Sequence, residues 1–275
     1  MKIAFASPRK VHQFATIFAN LKNFTDNVCL YFKPTGLYIQ CMDGSHCCLF
    51  ECNLGSDWFE IYEYDEEKDQ SCIGLNIIMM NKVLGTWNEK QSFTMLLNDK
   101  CDKISINFEN DADDKLPNEQ FDKFFELPLI TIDNELMAVQ AFETTVDLTV
   151  DSILFCSLIK SLVIFNEDLT LTFNEENIEC VSSGSDGSMK ALITADDVKE
   201  YAISENTTFK QSYSLRYVQT MCSFNKLAPE MIMGFGGTMP MVMKYVLSDT
   251  EDEHESFVSL HLAPKLVDEE EQDEY

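Results

Sequence analysis

The sequence predicts an α+β protein built as two similarly folded halves, and three observations carry that expectation. Four short segments space their apolar residues at three- and four-residue steps, the mark of amphipathic helices. Between them run extended segments bounded by turn residues. The order helix, strands, helix, strands then occurs twice, about 140 residues apart, although the halves share negligible identity. Two helices and eight or nine strands per half imply antiparallel sheets covered on one face by helices.

Taken in order, Ser7 and Pro8 supply a start signal for a first helix from Val11 to Phe24, with Phe14, Ile17, Phe18, Leu21 and Phe24 on one stripe. Val28 to Phe32 and Leu37 to Met42 read as strands joined through Pro34-Thr35-Gly36, and Cys47 to Asn53 as another. Gly74 to Ile78 reads as extended, and Met79, Met80, Val83, Leu84 and Trp87 mark a second helix. Phe93 to Leu97 and Ile104 to Phe108 flank a turn at Asn98-Asp99-Lys100. An acidic stretch, Asn110 to Asp114, and an apolar one, Phe124 to Ile132, close the first half.

The second half repeats the order. Ile153 to Phe165 is helical in spacing, Leu169 to Phe173 and Ile178 to Val181 flank Glu175-Glu176-Asn177, and Leu215 to Phe224 is a second short helix. Met231 to Phe235 and Met241 to Val246 then flank Gly236-Gly237-Thr238. The expected organisation is a first domain at 1–132, a connector at 133–141, a second domain at 142–267 and an acidic tail at 268–275.

With 275 residues, 45% of them apolar and 24% charged, the chain can fill its own core, which argues against global disorder. The net charge of −27 is the unusual quantity. Taken as a total it repels polyanions, yet what decides nucleic-acid binding is where the cations sit. Ten cysteines and four histidines form no C-x-x-C pair among Cys41, Cys47, Cys48 and Cys52 and no ligand cluster of consistent spacing, so neither a metal site nor a cofactor is expected. No charged leader followed by an apolar core and no 18-residue apolar run occurs. The expectation is an intracellular chain, without a membrane partner, whose reduced thiols are mostly small buried apolar groups.

Four motifs, in matching order along the chain, carry a resemblance. They are Gly36-Leu37-Tyr38-Ile39-Gln40-Cys41-Met42-Asp43-Gly44-Ser45-His46, Gly74-Leu75-Asn76 with Asn81-Lys82-Val83-Leu84, Leu215-Arg216-Tyr217, and Leu262-Ala263-Pro264-Lys265-Leu266 followed by acids. Together they resemble the eukaryotic-type sliding clamp family, proliferating cell nuclear antigen, as a divergent member of cellular or viral source. The resemblance implies the DNA-clamp fold: helices lining the inside, antiparallel sheets outside, and a homotrimeric ring threaded by double-stranded DNA without regard to sequence.

It also implies site residues. Lys22, Lys82, Lys160 and Arg216 match basic positions on the family's inner helices, with Lys226 standing in for a late one that falls near Ser223. The paired lysines of the first helix fall on Ala15 and Thr16, which leaves the bore less positive here unless Arg9 and Lys10 at the helix start compensate. One observation independent of the family supports a positive bore: about a sixth of all residues are Asp or Glu, yet the four helical segments contain none. Partner proteins, among them DNA polymerase and others with the aromatic-anchored clamp-binding motif, would dock on Met42, His46, Leu136, Met137, Met239, Pro240, Ala263, Pro264 and Lys265, with His261 in place of an aromatic residue at the edge.

Subunits would join by edge strands at Phe121 to Glu126 and Ser185 to Ala191, with Phe124, Phe125, Ser188 and Met189 at the contact. Glu175 stands where the family carries its ubiquitin-acceptor lysine. The function implied is that of a DNA polymerase processivity factor for replication and repair, not an enzyme, in the nucleus or a viral replication compartment. A clamp loader is needed, because no phosphate-binding G-x-x-x-x-G-K-[ST] loop occurs. Two alternatives are a subunit of a heteromeric checkpoint-type clamp and an acidic DNA mimic; the mimic explains the charge but not the acid-free helices.

Overall fold

The computed structural model describes residues 1–5, 7–67, 70–98, 102–110, 121–133, 135–139, 143–248 and 255–265. The centre of the Asn98-Asp99-Lys100 turn, most of the acidic stretch after Asn110, part of the connector and the tail at 268–275 lie outside them.

The first series of elements is β1 (Lys2–Ala4), α1 (Pro8–Leu21), β2 (Asn27–Lys33), β3 (Gly36–Met42), β4 (Cys48–Gly55), β5 (Ile61–Glu63), β6 (Cys72–Asn76), α2 (Ile77–Leu84), β7 (Gln91–Leu96), β8 (Lys103–Asn110) and β9 (Lys123–Pro128). The second is β10 (Val146–Asp151), α3 (Ser152–Leu162), β11 (Asp168–Phe173), β12 (Asn177–Gly184), β13 (Gly187–Thr194), β14 (Glu200–Ile203), β15 (Phe209–Ser214), α4 (Leu215–Cys222), β16 (Glu230–Phe235), β17 (Met241–Val246) and β18 (Phe257–Leu262). The two series follow one order: a strand, a helix, five strands, a helix, three strands. The repeat read from the sequence is therefore a repeat of structure.

The chain forms two compact units. The first holds the described residues of Met1–Gly44, Phe50–Met137 and Val246–Val258. Its strands run β5-β1-β7-β8-β9 in one sheet and β6-β2-β3-β4 beside one another in another, and the paired registers are antiparallel. Helix α1 starts where Ser7 Oγ accepts from the Lys10 backbone N–H at 3.4 Å and Pro8 occupies the first turn, whose N–H groups have no helical partner anyway. It buries Val11, Phe14, Ile17, Phe18 and Leu21, the stripe expected, and packs beside α2. Rings of Phe5, Phe14, Phe93, Phe108 and Phe125 continue this core toward the five-stranded sheet.

Unit two holds the described residues of Ser45–Leu49, Ala138–Tyr245 and Ser259–Tyr275. Strands β13-β12-β11-β15 form one sheet and β14-β10-β16-β17 lie side by side in another, again antiparallel where their registers pair. Asp151 caps α3, its carboxylate accepting from Ile153 N and Leu154 N at 2.9 and 2.8 Å. Helices α3 and α4 pack on each other over Phe155, Ile159, Leu162, Val218 and Met221.

Some boundaries differ from the sequence reading. Helix α1 begins at Pro8 and ends at Leu21, leaving Phe24 in the following turn, where its N–H reaches Leu21 O at 2.9 Å. Ile77 and Ile78 belong to α2, not to the preceding strand, because the Asn76 side chain accepts from Met79 N at 2.9 Å and sets the helix start there. No helix among the described residues is long and apolar enough to cross a membrane.

Candidate nucleic-acid and partner-binding surfaces

The four helices, of 14, 8, 11 and 8 residues, contain no Asp or Glu among the described residues. Lys22 is the C-cap of α1, and Lys82 and Lys160 lie in the last turns of α2 and α3. Cations there complement the partial negative charge of a helix C-terminus. Arg216 is in the first turn of α4 and Lys226 follows its end; all five are exposed, and among the described residues none is held in an ion pair. Off the helices, Lys103 meets Glu126 at 3.0 Å, Lys199 meets Glu230 at 2.5 Å, Lys190 pairs with Glu179 and Lys265 with Asp168.

The compensation expected from Arg9 and Lys10 fails for Lys10. It turns inward, buried, with its Nζ 5.6 Å from the centroid of the Trp58 ring, a cation–π placement on the core side of α1. Ala15 and Thr16 are half-buried. The first half of α3 is also less polar than expected: Ile153 and Leu154 are 65% and 71% exposed.

The proposed joining segments are sheet edges. β9 ends the five-stranded sheet and β13 the four-stranded one, with no further strand beyond either among the described residues. Alternation separates the two phenylalanines of β9: Phe125 turns inward against Phe108, ring centroids 5.6 Å apart, whereas Phe124 is 64% exposed. On β13, Ser188 is exposed and Met189 half-buried, and the strand holds no fully buried residue.

The candidate docking residues fall into two groups, one in each unit. In the first unit, Leu136 and Met137 are exposed apolar side chains on the connector, and Met42 ends β3 half-buried. Buried Gln40 fixes this segment: its Nε2 donates to Met137 O at 3.0 Å and its Oε1 accepts from Met137 N at 2.7 Å. The same Nε2 donates to Tyr38 Oη at 3.0 Å, and Tyr38 in turn donates to Glu51 Oε1 at 3.0 Å. Burial, with Glu51 beside it, pushes the Tyr38 phenol upward, which keeps it a neutral donor.

In the second unit, His46 is exposed in the turn before β4 with φ of 57°, in the left-handed region. Met239 is exposed and Pro240 half-buried at the β16–β17 turn. Ala263 N bonds Cys47 O at 3.0 Å and Lys265 N bonds Ser212 O at 2.8 Å, so the segment through exposed Ala263 and half-buried Pro264 is pinned at both ends. His261 is half-buried, its Nε2 3.2 Å from Ser259 Oγ. Glu175 accepts from the backbone N–H of Asn206.

These arrangements can be set beside known proteins. The family model described as "Proliferating cell nuclear antigen, N-terminal domain" matches residues 10–136. Proliferating cell nuclear antigen 2 of Drosophila melanogaster is 25% identical over 236 residues, 86% of this chain and 87% of that protein. Proliferating cell nuclear antigen 1 of Plasmodium falciparum is 24% identical over 265 residues, covering 92% and 93%. The chain is thus similar to proliferating cell nuclear antigens along most of its length. It is a sliding clamp, a processivity factor of DNA polymerase.

The crystal structure of PCNA from Thermococcus kodakaraensis shares the clamp fold, with a TM-score of 0.82 at 20% identity over 96% of this chain and 99% of that one. Against that fold, two features of this clamp are not foreseen by the sequence patterns. Gln40 sits inside the motif from Gly36 to His46; a lone amide in an otherwise apolar strand is the sequence signal for the connector's anchor. Leu192, 60% exposed on β13, lies one residue beyond the expected edge segment and was visible only as a hydrophobic residue of an alternating strand.

Proposed function

We propose that three copies of this chain join head to tail through β9 and β13 into a ring around duplex DNA. Lys22, Lys82, Lys160, Arg216 and Lys226 face the phosphates, and the chain performs no chemistry of its own. The ring holds its client polymerase by topology. Leaving the DNA requires the ring to open, whereas sliding only exchanges phosphate contacts that carry no sequence information. Tethering then raises the client's effective concentration at the primer end.

The observation that carries this reading is the distribution of charge: four acid-free helices on or beside which Lys22, Lys82, Lys160, Arg216 and Lys226 stand exposed with no carboxylate partner among the described residues, in a chain of net charge −27. An acidic DNA mimic has no use for such helices. Client proteins with aromatic-anchored motifs dock on Met42, His46, Leu136, Met137, Met239, Pro240, Ala263, Pro264 and Lys265. The Gln40 amide bridge supports this by presenting Leu136 and Met137 on a fixed backbone. An ATP-driven loader opens the ring, and the setting is the nucleus.

The test is oligomer mass together with polymerase processivity on a primed circular template. Wild-type chain should sediment as a trimer and lengthen products. Lys22→Glu with Lys160→Glu should remain trimeric and lose roughly tenfold or more of the stimulation, since each subunit would repel phosphates at two positions. A chain that stays monomeric alone, or a double variant with full stimulation, would overturn the reading.

A further inference from the structure

Cys29 on β2 and Cys72 on β6 lie on adjacent antiparallel strands. The register sets Cys29 opposite Gly74 and Tyr31 opposite Cys72, so the two cysteines are diagonal neighbours on one sheet face. Of the side chains around it, Cys29 and Tyr31 are the ones that bear on the Cys72 thiol. The pair is unequal in access. Cys29 is 2% exposed, whereas Cys72 is exposed on the strand that ends its sheet. Beside them, Ile130 bridges to Gly74 so closely that a Cβ there would stand 2.1 Å from Ile130 O. The pair therefore borders the backbone that leads into the connector.

We propose that Cys29 and Cys72 are a modification site, a dithiol that a low-molecular-weight disulfide oxidises to a cross-strand disulfide tying β6 to β2. Cys72, the accessible thiol, loses its proton and attacks one sulfur of the small disulfide. That S–S bond breaks, the first small thiol leaves and takes up a proton, and Cys72 carries a mixed disulfide. Cys29, deprotonated in turn, attacks the Cys72 sulfur and displaces the second small thiol, which is also protonated. Two protein S–H bonds are replaced by one S–S bond, and the reagent is reduced to two thiols.

Partial burial, with Cys29 alongside, holds the Cys72 thiol up to about 12, so thiolate is scarce at neutral pH and the first step is slow. The second step is intramolecular, between diagonal neighbours on adjacent strands, and is fast by comparison. The site thus responds to sustained disulfide stress and ignores brief exposure to oxidant. Such reversible bonds are the kind found in reducing compartments.

The experiment incubates the full chain with oxidised glutathione and reads intact mass and linked peptides. Wild type should lose two hydrogens, yield a Cys29–Cys72 linked peptide and return to its starting mass with dithiothreitol. The linked peptide should exceed the Cys72 glutathione adduct by roughly tenfold or more, as expected for ring closure between preorganised groups. Cys29→Ser should stop at the Cys72 adduct, and Cys72→Ser, an exposed change, should give neither product. Wild type that accumulates the adduct without the cross-link, or stays unmodified at both residues, would overturn the proposal without reference to the Cys29 variant's folding.

Discussion

The helices and the strand edges of this clamp treat charge in opposite ways. On or beside the strands, Lys103, Lys190 and Lys199 each lie against a glutamate, and the exposed apolar residues Phe124 and Leu192 stand on sheet edges. On the helices, Lys22, Lys82 and Lys160 are exposed at C-terminal ends with no acid in the same helix. A paired surface lysine is already neutralised and offers little to a polyanion, whereas an unpaired one can replace a counterion on a phosphate. The lesson is that a strongly acidic protein can keep a DNA-binding surface by withholding acids from one class of element.

The harshest way to break this division is at a strand edge. Phe124→Asp should abolish assembly: the sedimenting mass should fall to that of a single chain and processivity should vanish. The isolated subunit's own stability should hardly change, since exposed substitutions stay within about 0.5 kcal/mol, so a fall in melting relative to wild type reports the lost assembly. Phe125→Ala, one residue on, should do the reverse, costing roughly 2 kcal/mol through the lost Phe108 contact with a weaker effect on assembly. A trimeric Phe124→Asp would show that β9 is not a joining edge.

How far the sequence discloses this architecture depends on the length and purity of each pattern. Helix α1 is legible because fourteen residues carry one apolar stripe and a Ser-Pro start. β1 and β5, of three residues each, are too short to show alternation, and β15, Phe-Lys-Gln-Ser-Tyr-Ser, is too polar. At the candidate sites, residue identity discloses which lysines lie on helices. It does not disclose that Lys10 rotates onto Trp58, because a helical position one step from Arg9 differs from it by about 100° of face, a distinction that rests on the helix start. Nor can it show that Gln40 holds the connector, since its partner Met137 is 97 residues away.

A milder challenge comes from alkaline pH, which acts on the strand interior. Burial pushes the thiols of Cys41 on β3 and Cys180 on β12 up to about 12 from an ordinary 9.0, and the phenols of Tyr213 on β15 and Tyr245 on β17 also move upward. The fold thus favours their protonated, neutral forms. With folded values above unfolded ones, this stabilisation is complete below about 9, declines as the unfolded chain begins to release protons, and is lost as pH passes the folded values. Urea midpoints followed by circular dichroism should therefore hold near neutrality and fall above pH 9, without any sharp acid-side counterpart from these groups. A flat profile would mean these groups are not sealed from water.

The smallest effect is also the most selective, because it compares two lysines that differ mainly in company. Lys82→Glu places the first acid in α2, at a position with no carboxylate partner, whereas Lys199→Glu disrupts a pair whose members lie 2.5 Å apart on the surface. If helix cations alone meet phosphate, Lys82→Glu should weaken retention on closed circular DNA and lower the slope of log affinity against log salt by about one per contact removed. Lys199→Glu should leave that slope unchanged and stability nearly so, since exposed ion pairs contribute little. Equal slopes for both variants would mean that phosphates respond to the total charge of the clamp and not to its arrangement, and the contrast between helix and strand would lose its functional meaning.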